Sequence, residues 1–167
     1  MARKKDEFTL PYSIVSPIEL SQLIRELEEA DQVLLQAGLR KGGEETKLPR
    51  LGRLLSETVE ANELNMLLPK DRESLLTSLT GLKEKAPMLH MSFNADPSPA
   101  FMLKLTTWVR ENIHPYALIR IGLLPTIGAG CVLRTPNQVF DFSLRDRFDK
   151  NRQILIDKIR ATSGAAQ

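Results

Sequence analysis

The residue types able to do chemistry gather in one stretch, TIGAGCVLRTPNQVFDFSLRDRF, Thr126 to Phe148. It holds the only cysteine, Cys131, and the chain has two histidines, His90 and His114, to serve as a base. A thiol becomes a nucleophile beside a positive charge or a paired imidazole. The flanks Ala129, Gly130, Val132 and Leu133 are apolar and neither histidine stands at a supporting spacing, so Cys131 reads as a core thiol in a strand. Asp141, Asp146 and Asp149 form a possible carboxylate set. They interleave with Arg145, Arg147 and Lys150 at an expected helix start, where ion pairing and the helix dipole account for them. Gly128-Ala129-Gly130 lacks the third glycine of a dinucleotide fingerprint and precedes a strand, so the helix N-terminus that holds a pyrophosphate is missing. Gly42-Gly43 lacks the Lys-Ser/Thr ending and the preceding strand of a phosphate loop. His90 has no second ligand at metal spacing and reads as an exposed strand histidine. No catalytic residue, metal or cofactor is expected.

Charge points the same way. Lys and Arg number 23 against 21 Asp and Glu in 167 residues, so a net charge of +2 creates no bulk field for nucleic acid. Arg134, Arg145, Arg147, Lys150 and Arg152 form a local basic set, but acids cancel most of their field and few aromatic residues interleave with them. One cysteine allows no internal disulfide and suits a reducing cytoplasm. The opening MARKKDEFTLPYS carries no signal-peptide run, and no segment approaches the roughly 20 apolar residues of a membrane span. Any work at a membrane therefore needs another subunit as anchor.

The elements around these residues follow from periodicity and punctuation. Ser16-Pro17-Ile18-Glu19 is a capping box with proline at the first helical position. Leu20, Leu23, Ile24, Leu27, Ala30, Leu34 and Ala37 continue it as an amphipathic helix to a stop at Gly38, with Glu26, Glu28, Glu29 and Asp31 on its solvated face. LRKGGEETKL, from Leu39 to Leu48, reads as a surface loop. Helices follow over Leu51, Leu54, Leu55, Val59 and Leu64, then over Leu75, Leu76, Leu79 and Leu82, the latter introduced by Pro69 and Asp71.

At Pro87 the period changes. Met88, His90, Ser92 and Asn94 alternate with Leu89, Met91, Phe93 and Ala95, a strand with one apolar face. Asp96, Ser98 and Pro99 start a helix whose stripe is Phe101, Leu105, Trp108, Val109 and Ile113, with Trp108 in the core. Strands are expected over Tyr116 to Leu123, Gly130 to Arg134 and Val139 to Phe142, with a turn at Thr135-Pro136-Asn137-Gln138. A terminal helix from Ser143 carries Leu144, Phe148, Ile154, Leu155 and Ile159, and the tail ATSGAAQ frays. The fold class is α+β: a helical bundle over residues 1–86, then a small α/β unit over 87–167 of strand, helix, β-hairpin and helix. So few strands leave sheet edges free for a partner.

The run LLPTIGAGCVLR, Leu123 to Arg134, followed by VFDFSLRDRF, Val139 to Phe148, resembles the C-terminal signature of the ATP synthase delta subunit, the oligomycin-sensitivity-conferring protein of mitochondria. That pattern is proline-x-leucine/isoleucine-glycine-glycine, an apolar strand ending in arginine, a turn, then aspartate-x-serine-leucine/valine-x-x-x-leucine. Leu54 to Leu68 and MLHMSFNADPSPAF look like the last bundle helices, first strand and following helix. The family has paired glycines where this chain has Gly128-Ala129-Gly130, and the part before Leu48 is shorter than the family's. The glycine-strand-turn ending is also similar to that of the peripheral-stalk E subunit of V/A-type ATPases, whose long N-terminal helix has no counterpart here.

The resemblance implies a non-catalytic stator subunit of a rotary F-type ATP synthase, cytoplasmic and held at the membrane only through its complex. The helical part would sit on the F1 head against the alpha subunits, and the C-terminal unit would bind the b-type stalk through Ile127, Val132, Phe140, Phe142, Leu144 and Phe148, with Arg134 and Arg145 at the rim. Two other readings stand beside it: a nucleic-acid-associated regulatory module using the Arg-rich final helix, and an enzyme using Cys131.

Overall fold

The computed structural model describes residues 8–40, 49–135, 137–144, 151, 152, 154, 156, 157 and 160. The class is α+β, with N-terminal helices followed by a small strand-containing unit. Helix α1 spans Pro17–Arg40, α2 Arg53–Ala61 and α3 Pro69–Lys85. Strand β1 is Met88–Phe93, helix α4 Pro99–Asn112, and strands β2, β3 and β4 are Leu118–Leu123, Cys131–Arg134 and Val139–Asp141.

Helix α1 begins where the capping box places it. The Ser16 amide donates to Glu19 Oε2 at 2.8 Å and the Glu19 amide donates to Ser16 Oγ at 3.3 Å, so each of two amides without a helical partner is satisfied by the other residue's side chain. Gly38 does not end the helix, which runs on to Arg40. A glycine inside a helix costs about 1 kcal/mol but removes no hydrogen bond, so it stops a helix only where the chain also turns.

The protein divides into two compact units that are not consecutive in sequence: the described residues up to Met88 with Pro99–Ile119, and Leu89–Ser98 with the described residues from Arg120 onward. The expected boundary between 86 and 87 grouped α4 with the strands. It belongs instead to the helical unit, to which Arg110 ties it.

Arg110, near the end of α4, is buried and donates to the carbonyls of Leu10 at 3.2 Å, Pro11 at 2.7 Å, Ala117 at 3.2 Å and Ile14. Its guanidinium also lies 5.9 Å from the Tyr12 ring centroid. Burial pulls its pKa down to about 10, an effect that Tyr12 and Glu19 partly offset. The core of this unit joins Leu10, Ile14, Leu20, Leu23, Leu27 and Leu55 with Leu75, Leu79 and Leu118. Helix α1 packs on both α2 and α3.

The acidic face of α1 is only partly solvated. Glu28 and Glu29 are exposed, but Glu26 accepts the Gly52 amide ahead of α2, and Asp31 pairs with Arg72 of α3. Arg72 is itself buried and donates to the Met66 carbonyl at 2.8 Å. The sequence reading misses both because each partner lies more than twenty residues away.

In the second unit the sheet order is β2-β1-β3-β4. The Leu118 amide bonds the Pro87 carbonyl and the Leu124 amide bonds the Phe93 carbonyl, a constant offset that makes β1 and β2 parallel. Parallel neighbours need a crossover, and α4 is that connection in the chain. Strand β3 pairs antiparallel with β1 and with β4. Thr135 and Gln138 close the β3–β4 hairpin, the Thr135 amide donating to the Gln138 carbonyl at 2.9 Å. The hairpin is the expected one, while β2 lies at the far edge of the sheet. Most of the expected terminal helix, with Leu155 and Ile159, and the whole tail lie outside the described residues, as do residues 41–48 of the expected surface loop.

Candidate partner surface on the outer strand

The register defines two faces for the sheet. Met91, Leu133 and Phe140 align across β1, β3 and β4, and Phe93, Cys131 and Phe142 form the next row, since Phe93 stands opposite Cys131 and the Phe142 amide donates to the Cys131 carbonyl at 2.9 Å. Side chains directly opposite on paired strands share a face. These six residues are apolar or weakly polar. The other face carries His90, Ser92, Val132, Arg134, Val139 and Asp141.

Exposure grows outward along the apolar face. Met91 and Phe93 on β1 are buried, Cys131 and Leu133 on β3 are half-buried, and Phe140 on β4 is 41% and Phe142 just after it 57% exposed. The Phe140 and Phe142 rings stack at 6.2 Å with an interplanar angle of 10°, which keeps them together on the surface. Leu144, just beyond, is exposed too. The opposite margin repeats the pattern. An added Cβ on Gly122 would lie 3.2 Å from Ser92 Oγ, so Gly122 stands on the Ser92 face and Ile121 and Leu123 on the apolar one, both exposed.

Of the expected contact residues, then, Phe140 on the outer strand and Phe142 just past its end stack together, and Leu144 is exposed two residues further on. Arg134 is exposed but stands across from Val139 on the other face, so it does not rim the phenylalanines. Ile127 and Val132 are corrections. Both are buried, Val132 on the Ser92 face opposite Met91 and Phe93, and an apolar side chain already out of water has no surface left to offer a partner. Arg145 and Phe148 lie outside the described residues.

Trp108 is the opposite correction. Expected in the core, it is 56% exposed, with Phe101 also exposed, and α4 buries Met102, Thr106, Val109 and Arg110 instead. Apolar residues occupy more than one face of this helix, so periodicity alone does not choose which turns inward. The chosen face is the one that carries Arg110.

The chemistry of the other candidates is limited. Cys131 is half-buried, and burial, reinforced by the Asp141 charge, raises its thiol pKa above the ordinary value. That is the reverse of an activated thiolate. His114 Nδ1 accepts the Tyr116 amide at 3.2 Å, which commits it to the turn after α4. His90 is exposed on its strand. In the helical unit a cleft of about 620 Å³ lies beside Tyr12, Glu57, Arg110, Glu111 and Tyr116. The Arg110 donors there are spent on carbonyls, and the Glu57 carboxylate accepts from Ser13 and pairs with Arg53. Among the described residues no three His, Cys, Asp or Glu side chains gather to hold a metal, and no helix is long and apolar enough to cross a membrane. Comparison with protein-family models and with curated proteins finds no match for this chain.

Proposed function

We propose that this chain is a non-catalytic connector, the peripheral-stalk subunit of a rotary F-type ATP synthase, joining the F1 head to the b-type stalk. The observation that carries the reading is the stacked, exposed Phe140–Phe142 pair on the outer strand. Paired aromatic rings left in water on a sheet edge are costly for a monomer and are the usual anchors of protein interfaces. They lie within the segment whose residues resemble the delta-subunit signature. A stator resists torque through extended apolar surfaces, and this sheet offers one at its outer margin.

The stalk helices seat on Phe140, Phe142 and Leu144, and the helical unit faces the alpha subunits. Attachment to the membrane is indirect, through the stalk. Affinity purification of the intact protein from gently solubilised membranes of its own cell tests this. Recovery of alpha, beta and b-type subunits in fixed ratio, lost in a folded Phe140→Ser/Phe142→Ser protein, is the expected result. Recovery of nucleic acid or unrelated enzymes, or of the same subunits with the double variant, refutes it.

A further inference from the structure

The loop before β3 holds two backbone conformations that only glycine adopts freely. Gly128 has φ 76° and ψ −66°, the rarer form of the γ-turn, closed by the Ala129 amide on the Ile127 carbonyl at 3.0 Å. Gly130 has φ 94°. The two differ in surroundings. A Cβ on Gly128 would meet open space, whereas one on Gly130 would lie 2.4 Å from the Phe142 carbonyl oxygen and 3.0 Å from Ser143 Cα. Both are backbone atoms that cannot swing aside.

That close approach belongs to a set of bonds around the same three residues. The Phe142 amide donates to Cys131 and the Leu144 amide donates to the Ala129 carbonyl at 2.9 Å. The Ser143 amide donates to Asp141 Oδ1 at 2.8 Å, and the Ser143 residue is buried. From behind, Asn94 Nδ2 donates to the Gly128 carbonyl at 2.6 Å. Strand β4 itself ends at Asp141, and this loop holds the chain where it leaves the sheet.

We propose that Gly130 is a positioning residue for the partner surface: the Gly128–Gly130 loop, braced by Asn94, clasps Phe142–Leu144 and sets the angle at which Phe142 and Leu144 are presented. The binding half of this proposal rests on the connector reading; the clasp itself does not. An alanine at Gly130 pushes the Phe142–Ser143 backbone away and breaks the Leu144–Ala129 bond, while the phenylalanines themselves remain.

The test uses the full-length chain and two readouts, amide hydrogen exchange and binding of the purified soluble part of the b-type stalk subunit from the same cell. Gly130→Ala is expected to speed exchange at the Phe142 and Leu144 amides at least tenfold, to leave the Leu20 and Leu55 amides of the helical unit unchanged, and to weaken stalk binding at least tenfold. Asn94→Ala removes one exposed side-chain bond without touching the core, and gives the same changes at several-fold size should Gly130→Ala fail to fold. Unchanged exchange at Leu144 in the variants, or faster exchange with undiminished stalk binding, overturns the proposal alone. Wild-type protein that ignores the stalk overturns the connector reading and the presentation role together.

Discussion

Arg110 and Cys131 show how burial decides what a side chain does. A guanidinium carries five donors, and Arg110 makes four bonds with them, to the carbonyls of Leu10, Pro11, Ile14 and Ala117, so its role is to satisfy backbone that the helical unit buries. Replacing it by leucine keeps the volume and strands those carbonyls, and the expected loss of stability is about 3 kcal/mol by urea denaturation. Between about pH 5 and 9 that loss does not vary, because even the lowered pKa keeps Arg110 charged in both states. Cys131 behaves differently. Its thiol holds a proton to higher pH in the folded protein than in the unfolded chain, so folding binds more protons in that window and stability falls as pH rises through it. Labelling with a thiol-specific disulfide reagent should therefore be slower than for free glutathione at pH 8 and should accelerate above the ordinary thiol pKa. Rapid labelling at neutral pH would return the enzyme reading to consideration.

Strand β4 and the sheet behind it separate two kinds of apolar residue that a sequence shows as one. Alternation along β1 is legible because the period of a strand is two and only one face of Met88–Phe93 is buried. Along β3 and β4 it is not, since Val132 is buried between half-buried Cys131 and Leu133 while every residue of β4 is exposed, whatever its type. Val132→Ala should cost roughly 2 kcal/mol of stability. Phe140→Ser and Phe142→Ser should each cost less than Val132→Ala, on the order of 1 kcal/mol, because both rings are already exposed. The same two substitutions should weaken stalk binding at least tenfold while Val132→Ala, in the fraction that stays folded, leaves it intact. Thermal melts run beside the binding titration distinguish the two classes. Helix α4 carries the same lesson in another form. Its pattern predicted the helix correctly and its buried face wrongly, because Phe101, Met102, Leu105, Trp108 and Val109 surround much of its circumference.

The division into units is the feature furthest from sequence order. The chain passes from the helical unit into the sheet unit after Met88, returns for α4, and leaves again after Ile119. A fragment of residues 1–86 accordingly lacks Arg110 and the core residue Leu118. It should unfold without a cooperative transition and show a collapsed amide spectrum, whereas the full chain melts cooperatively. A fragment that folds as tightly as the whole chain would mean that α4 adds little to the helical unit, contrary to the bonds that Arg110 makes with Leu10, Pro11 and Ile14.

What the sequence by itself determined is local. The Ser16–Glu19 capping box, the proline starts of α1, α3 and α4, the alternation of β1 and the Thr135–Gln138 turn each rest on interactions within a few residues, where spacing and geometry are nearly the same thing. The tertiary structure alone decided the sheet order, the inward face of α4, the pairing of Asp31 with Arg72, the carbonyl cluster on Arg110, and which of Ile127, Val132, Phe140 and Phe142 reach the surface. Those outcomes depend on residues far apart in the chain competing for the same limited interior, and hydrophobicity has no direction until that interior exists.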